Sequence, residues 1–183
     1  YATSRDGIYV NLYVAGAATI RTATGAQVKL TQRTEYPWDG QVQIEVTPDK
    51  AAEFELALRI PGWAQGQPVP SDLYKFAASE VAPVQLQVND QAVDAKSGKD
   101  GYVHLRRRWQ AGDKVTLNLP MPVQRVRAHE NVKADTGKVA LMRGPVVYCL
   151  EAVDHAGANL ASLALAPTAA LQTQRRPDLL NGV

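Results

Sequence analysis

Carboxylate side chains are the first candidates for chemistry in this sequence, because hydrolysis of a sugar bond commonly uses two opposed carboxylates, one as acid and one as nucleophile or base. The chain has 18 Asp and Glu residues, so pairs arise from composition alone. Glu53 and Glu55 fall on the polar face of a predicted strand. Other acids fall in turns, where aspartate is expected for local hydrogen bonding: Asp39, Asp49, Asp90, Asp100 and Asp113. The pattern favours structural roles over a catalytic pair.

Cysteine and histidine add little further chemistry. The single cysteine, Cys149, lies in an apolar stretch without a histidine at a recognisable spacing, which favours a buried, inert thiol over a nucleophile. One cysteine forms neither an intrachain disulfide nor a cysteine-based zinc cluster, and the histidines are scattered at His104, His129 and His155. Asp154 beside His155 lacks an accompanying serine or cysteine signature. We therefore expect no catalytic, metal or cofactor residue in this chain.

The three tryptophans are a stronger signal, because each lies next to a turn. Exposed aromatic rings in such positions stack on sugar rings in carbohydrate-binding sandwiches. Trp38, Trp63 and Trp109 are therefore candidates for carbohydrate stacking. The alternative, which the sequence favours, is that these rings close the ends of a sandwich core.

Charge and hydropathy exclude two classes of partner. The chain has 20 Lys and Arg against 18 Asp and Glu, a net charge of +2, and the basic residues are dispersed apart from Arg106, Arg107 and Arg108. On a strand, Arg107 would lie on the face opposite the other two, so at most two of the three side chains could bind an anion together. The cluster therefore predicts a solvated sheet edge rather than a binding site. Binding to nucleic acid or to an anionic membrane is not expected. No apolar run reaches the roughly 20 residues of a membrane span.

The elements that would position these residues are short strands. Ile8, Val10, Leu12 and Val14 alternate with other residues and predict one strand over 7–14. Residues 18–23 and 26–33 predict a hairpin that turns at Thr24-Gly25. Further alternating runs are Val42 to Val46, Phe54 to Ile60, Val84 to Val88, Val103 to Leu105 and Val115 to Leu119. Residues 64–79 are predicted to be a loop because they are rich in Gln, Pro, Gly and Ser.

The most apolar stretch runs from Lys138 to Glu151. Gly144-Pro145 excludes a helix and predicts two strand segments that meet at a corner. Apolar residues on both faces favour a strand covered on both sides. About a dozen short strands predict an all-β protein, an antiparallel β-sandwich with part of a second. We place the first sandwich at 1–120, and in 121–183 the strands of a second, truncated sandwich or strands that return to the first.

Five stretches together resemble the part of glycoside hydrolase family 127 that follows its catalytic domain. This family includes β-L-arabinofuranosidases. The stretches occur in the family's order and cover nearly the whole chain. They are Gly7 to Tyr13, Tyr36 to Gly40, Leu58 to Ala64, Gly101 to Val103 with Trp109 and Gly112-Asp113, and Arg143 to Glu151.

The resemblance implies a preceding (α/α)6 barrel that carries catalysis, with a zinc ion held by a glutamate and cysteines, one of them the proposed nucleophile. These residues would lie upstream of Tyr1, since Cys149 matches a strand cysteine of the family rather than the zinc site. We expect the chain to be a piece of a longer polypeptide. The family continues after Asp178 to Gly182, so the second sandwich would be incomplete.

The expected function is therefore that of a non-catalytic accessory region. It would support the catalytic barrel of a glycoside hydrolase and help it form a homodimer. The alternative is a carbohydrate-binding module that uses Trp38, Trp63 or Trp109. The parent is predicted to be soluble. The sequence does not distinguish between the cytoplasm and the periplasm as its compartment.

Overall fold

A computed structural model of the chain describes residues 1–5, 7–78, 82–155, 157, 159–176 and 178. The prediction of an all-β fold is confirmed. In chain order, the strands of the described residues are β1 Ala2–Thr3, β2 Gly7–Val10, β3 Gly16–Arg21, β4 Gln27–Thr34, β5 Gln41–Pro48, β6 Ala52–Arg59, β7 Tyr74–Phe76, β8 Gln85–Val88, β9 Gln91–Val93, β10 Tyr102–Trp109, β11 Asp113–Asn118, β12 Val123–Ala128, β13 Ala140–Arg143 and β14 Val146–Tyr148. Short 3₁₀ helices occupy Gly62–Gln65, Lys133–Asp135, Ala152–Asp154 and Leu160–Ser162.

The strands form three sheets. The first has the order β1-β2-β6-β10 and the second the order β3-β4-β5-β11-β8-β9. Their inner faces supply a single buried cluster, so these two sheets make the sandwich. The third sheet has the order β14-β13-β12-β7.

Alternation in the sequence accounts for this core. On β4, β5 and β11, every second residue is buried, because a pleated strand sends successive side chains to opposite faces. The opposite layer comes from β2, β6 and β10. The core side chains that are least exposed include Ile8, Val10, Leu30, Ile44, Leu56, Leu58, Trp109 and Leu117.

One strand pair departs from the antiparallel pattern. β2 runs parallel to β6, with Ile8 opposite Leu56 and Val10 opposite Leu58. Three strands of the second sheet separate β2 from β6 in the chain, and such a crossover allows neighbouring strands to run in the same direction. All other pairings are antiparallel among the described residues.

The first predicted strand is shorter than expected. β2 ends at Val10, and Leu12 and Val14 are exposed rather than buried with Ile8. The physical reason lies between them, because Tyr13 is buried and its hydroxyl donates a hydrogen bond to the carbonyl oxygen of Arg59. Turning Tyr13 inward sends its two aliphatic neighbours outward.

The stretch 138–151 is not the centrally covered strand that its composition suggested. It forms β13 and β14, a hairpin with Gly144-Pro145 at the turn, which confirms the predicted corner. β14 is an edge strand of the third sheet, and Val147 is 61% exposed. Val147 and Tyr148 of this strand are therefore largely in solvent rather than covered on both faces.

The predicted loop 64–79 contains a strand. β7 has three residues and pairs with β12, with Phe76 opposite Val126 and Tyr74 opposite Ala128. A strand of three residues is too short to show an alternation of apolar and polar side chains, and its partner strand lies about fifty residues away. The local sequence therefore gives no signal for it. β7 lies before Pro120 but belongs to the third sheet. The end of the predicted second sandwich, at residues 179–183, lies outside the described residues.

Candidate functional site

A cavity of about 350 Å³ opens where β2 and β6 end. We call it the end cavity. Its lining combines aromatic rings, prolines and three polar side chains. The residues that line it are Asn11, Leu12, Tyr13, Tyr36, Arg59, Pro61, Gly62, Trp63, Gln67, Pro68, Val69, Pro70 and Pro145. Four of the five stretches that carry the family resemblance meet here, although they span residues 11 to 145.

Two tyrosines form the inner part of the end cavity. The rings of Tyr13 and Tyr36 meet edge to face, with centroids 5.9 Å apart and planes at 72°. Burial is the main reason that the pKa values of both hydroxyls are raised, so both rings remain neutral. The edge-to-face contact and the bond from Tyr13 to Arg59 fix the orientation of this aromatic wall.

The β13–β14 hairpin closes another side of the cavity. Arg143 Nη1 donates a hydrogen bond to the carbonyl oxygen of Trp38 across 2.8 Å, which ties the hairpin to the turn that bears Tyr36. Gly144 has φ +56°, and a Cβ atom there would lie 2.7 Å from Met121 Sδ. This close turn brings Pro145 to the cavity wall.

The three tryptophans have different environments. Trp109 is fully buried, and its Nε1 donates to the carbonyl oxygen of Phe54, so it closes the core and offers no surface for a sugar ring. Its place among the stacking candidates is therefore wrong. Trp63 is half-buried in the wall of the end cavity, while Trp38 is 36% exposed outside it. These two remain candidates for carbohydrate contact.

A histidine lies between two carboxylates on the outer face of the first sheet. His104 Nδ1 lies 2.9 Å from Glu55 Oε1, and its Nε2 lies 2.9 Å from Asp100 Oδ2. The hydrogen bond to Glu55 contributes most to raising the pKa of His104. Only the imidazolium carries a hydrogen on both nitrogens and can donate to both acids. The ring of Tyr9 meets the imidazole edge to face, with the two ring centroids 6.3 Å apart.

Three of the acidic turn residues have local partners, and Asp90 lies in a tight turn with φ +62°. Asp113 accepts from the Asn89 side chain and from the Gln110 backbone, and Asp39 accepts from the backbone of Gln41. Such contacts order turns rather than activate a substrate. Asp49 likewise accepts from the backbone N–H of its neighbour Lys50.

The arginine cluster lies on a sheet edge, next to Glu53 of the neighbouring strand. β10 is an edge strand of the first sheet, and Arg106 Nε lies 3.4 Å from Glu53 Oε1. Arg107 points to the opposite side, where its guanidinium carbon lies 5.2 Å from the centroid of the Trp109 ring. The predicted division of the arginines between two faces is therefore what the structure has.

Cys149 is exposed, which contradicts its expected burial. It follows the last residue of β14 at the uncovered edge of the third sheet, and its Sγ lies 3.7 Å from Glu151 Oε1. Within the described part of the chain, no group of three or more His, Cys, Asp and Glu side chains is arranged to hold a metal ion. The described residues also contain no helix long and apolar enough to cross a membrane.

Two models of protein families match the chain. Residues 7–121 match the model of the β-L-arabinofuranosidase GH127 middle domain, and residues 123–178 match the glycoside hydrolase family 127 C-terminal domain. The chain belongs to glycoside hydrolase family 127. It represents the middle and C-terminal domains of that family, as the resemblance in the sequence predicted.

Individual relatives agree with this assignment. The chain is 36% identical, over 99% of its length, to a non-reducing end β-L-arabinofuranosidase of Bifidobacterium longum subsp. longum. It superposes with a TM-score of 0.85 on a GH127 β-L-arabinofuranosidase of Geobacillus stearothermophilus T6, at 44% identity over 100% of the chain. A second GH127 β-arabinofuranosidase gives a TM-score of 0.90 at 36% identity over 98% of the chain. The chain spans only about a quarter of each of these proteins, 26%, 26% and 28%.

Proposed function

We propose that this chain is the accessory region of a glycoside hydrolase that releases β-L-arabinofuranosyl groups, and that the reaction takes place elsewhere in the parent protein. The names of the relatives support the activity. The partner of the chain in this proposal is the (α/α)6 barrel of the parent. The role of the chain is to bind that barrel and stabilise it.

The observation that carries the proposal is a set of exposed apolar side chains on and just after β14, which we call the hairpin surface. They are Val147 and Tyr148, which as neighbours on β14 face opposite sides of the third sheet, and Leu150 and Val153, which follow the strand. Val147 and Leu150 are 61% and 59% exposed, although residues of this type are usually buried. Exposed apolar side chains of this size favour association, because burying them contributes about 25 cal/mol per Å². The barrel is the occupant that we propose.

Zinc belongs to the catalytic part in this proposal. Cys149 is the only cysteine of the chain, and the described residues offer no cluster of metal ligands around it. A zinc site of the kind that the family resemblance implies needs several cysteine thiolates. We therefore propose that the parent holds zinc through residues outside this chain.

We further propose that the chain divides near Pro120 into a middle and a C-terminal unit. The two family models, which meet at residue 122, support this division. β7 couples the units, because it lies in the middle unit but pairs with β12 of the C-terminal one. A single cooperative unfolding transition is therefore expected, and two separate transitions in calorimetry would contradict this coupling.

The catalytic assignment is tested by assaying the 183-residue chain and the full-length parent on an aryl β-L-arabinofuranoside. The parent is expected to hydrolyse it, and the chain to give only the background rate. Turnover by the chain that depends on added zinc would refute the accessory role.

The docking assignment is tested by hydrogen exchange of residues 146–150. Exchange is expected to be slower in the parent than in the isolated chain, because the barrel would cover the hairpin surface. Equal exchange would exclude the barrel as occupant. If the isolated chain sediments as a dimer, and Leu150→Asp makes it monomeric, a second copy of the chain covers the surface instead.

A further inference from the structure

We propose that the end cavity binds one sugar residue, a five- or six-membered ring that carries free hydroxyl groups. This goes beyond the accessory role, which needs no ligand. The volume of about 350 Å³ lies within the range of about 300–1,000 Å³ that is typical of small-molecule sites. The cavity also lies where the middle part of the chain meets the β13–β14 hairpin, and junctions between structural units are common places for such sites.

The apolar part of the wall suits the C–H face of a sugar ring. Tyr36 and Trp63 supply aromatic rings, and Pro61, Pro68 and Pro70 extend the apolar surface beside them. These groups lose little conformational entropy on binding, because the proline rings are rigid and the Tyr36 ring is held edge-on against Tyr13.

The polar part of the wall consists mainly of donors. Asn11 Oδ1 accepts a hydrogen bond from Tyr102 Oη across 3.1 Å, which leaves its amide N–H groups free to donate. Gln67 and Arg59 also line the cavity. Arg59 forms no ion pair with any described carboxylate. Hydroxyl and ring oxygens of a sugar are suitable acceptors for these three side chains.

The charge of the lining narrows the ligand class. None of the lining residues is acidic, and Arg59 carries the only formal charge among them. A cation would find no counter-charge there, whereas a neutral sugar needs none and a uronic acid could place its carboxylate against the guanidinium. Neutral and acidic sugars share a ring with free hydroxyl groups, and the experiment distinguishes between them.

The experiment follows the indole N–H resonances of the 183-residue chain during titration. The three tryptophans give three signals, and Trp63→Phe assigns the one from the cavity. The probes are L-arabinose, methyl β-L-arabinofuranoside and galacturonic acid, with ethylene glycol as a hydroxyl-bearing control that has no ring. Trp38→Phe is the matched control variant, because Trp38 lies outside the cavity wall.

The expected result is a saturable shift of the Trp63 signal with at least one of the three sugars and none with ethylene glycol. The double variant Arg59→Met, Gln67→Leu should weaken binding at least about tenfold, and Trp38→Phe should leave it within about twofold. Tighter binding of galacturonic acid than of L-arabinose, lost in Arg59→Met, identifies an acidic sugar. Equal binding of the two identifies a neutral one.

Three results would overturn the proposal. The first is the absence of a saturable shift with any of the sugars, and the second is a shift that the double variant leaves unchanged. The third comes from hydrogen exchange of residues 61–70 in the full-length parent. If exchange there is slow without sugar and does not change when sugar is added, a segment of the parent fills the cavity instead.

Discussion

Trp109 Nε1 donates a hydrogen bond across 3.1 Å to the carbonyl oxygen of Phe54, and the two rings stack with centroids 5.9 Å apart. The pair joins β10 to β6 inside the core of the sandwich. Trp109 is fully buried, so the bond satisfies its only polar hydrogen where no water reaches it. Its surroundings make this residue a determinant of stability rather than of ligand binding.

Trp109→Ala should therefore lower the free energy of unfolding by about 3–5 kcal/mol, because it leaves a large cavity and an unpaired carbonyl. Urea unfolding of the chain, followed by circular dichroism, measures this loss. Trp38→Ala is the matched control, with an expected change of less than about 1 kcal/mol, because that ring is partly exposed. Equal losses in both variants would contradict the assigned role.

The contacts of His104 predict a pH-dependent contribution to stability. Folding raises the pKa of His104, so its stabilisation is complete below the unfolded-state value near 6.5 and is lost as pH rises through the folded-state value. Asp100 has the opposite sign, since hydrogen bonds from the Tyr102 backbone and from His104 lower its pKa. Its contribution is present above the unfolded value of 3.8 and is lost as pH falls through the folded one.

His104→Gln should consequently destabilise the chain more at about pH 5.5 than at about pH 8.5. Urea unfolding at both pH values measures the difference. The double variant Glu55→Gln, Asp100→Asn serves as the background control, in which the same His104 substitution should lose its pH dependence. A loss that is independent of pH in the original chain would show that the imidazole contributes only packing.

The fold was predictable wherever one face of a strand is buried, because burial imposes the period of two that β4 and β5 display. The hairpin at Thr24-Gly25 was predictable from its turn residues, because Gly25 has φ +89°, a conformation that favours glycine. The place of residues 138–151 at a sheet edge was not predictable, because an apolar stretch does not reveal which neighbouring elements cover it.

The end cavity was beyond prediction for a related reason. Asn11, Tyr36, Trp63 and Pro145 lie far apart in the chain and meet only through tertiary contacts such as the bond from Arg143 to Trp38. The sequence marked the stretches that contain them but not their convergence. The tryptophans illustrate the same limit, because turn signals flank both the buried Trp109 and the partly exposed Trp38.

A close backbone approach predicts a severe effect at Gly40. A Cβ atom at this position would lie 1.9 Å from the carbonyl oxygen of Leu119, whose own amide donates to Gly40. Gly40→Ala should force the backbone apart and cost about 1–3 kcal/mol of unfolding free energy, measured by urea titration. Gln41→Ala, with its exposed side chain, is the neighbouring control and should stay within about 0.5 kcal/mol. A Gly40→Ala chain as stable as this control would contradict the close approach.

The exposure of Cys149 reverses what its apolar neighbours suggested. A buried thiol would cost packing energy when removed, but this one lies beyond the end of β14, so Cys149→Ala should change the free energy of unfolding by less than about 0.5 kcal/mol. The same exposure predicts that the folded 183-residue chain reacts with a thiol reagent to one equivalent, without denaturant. Ellman titration in the presence and absence of urea measures this, with Cys149→Ser as the unreactive control. A thiol that reacts only after unfolding would place Cys149 in a covered position, as its apolar neighbours predict.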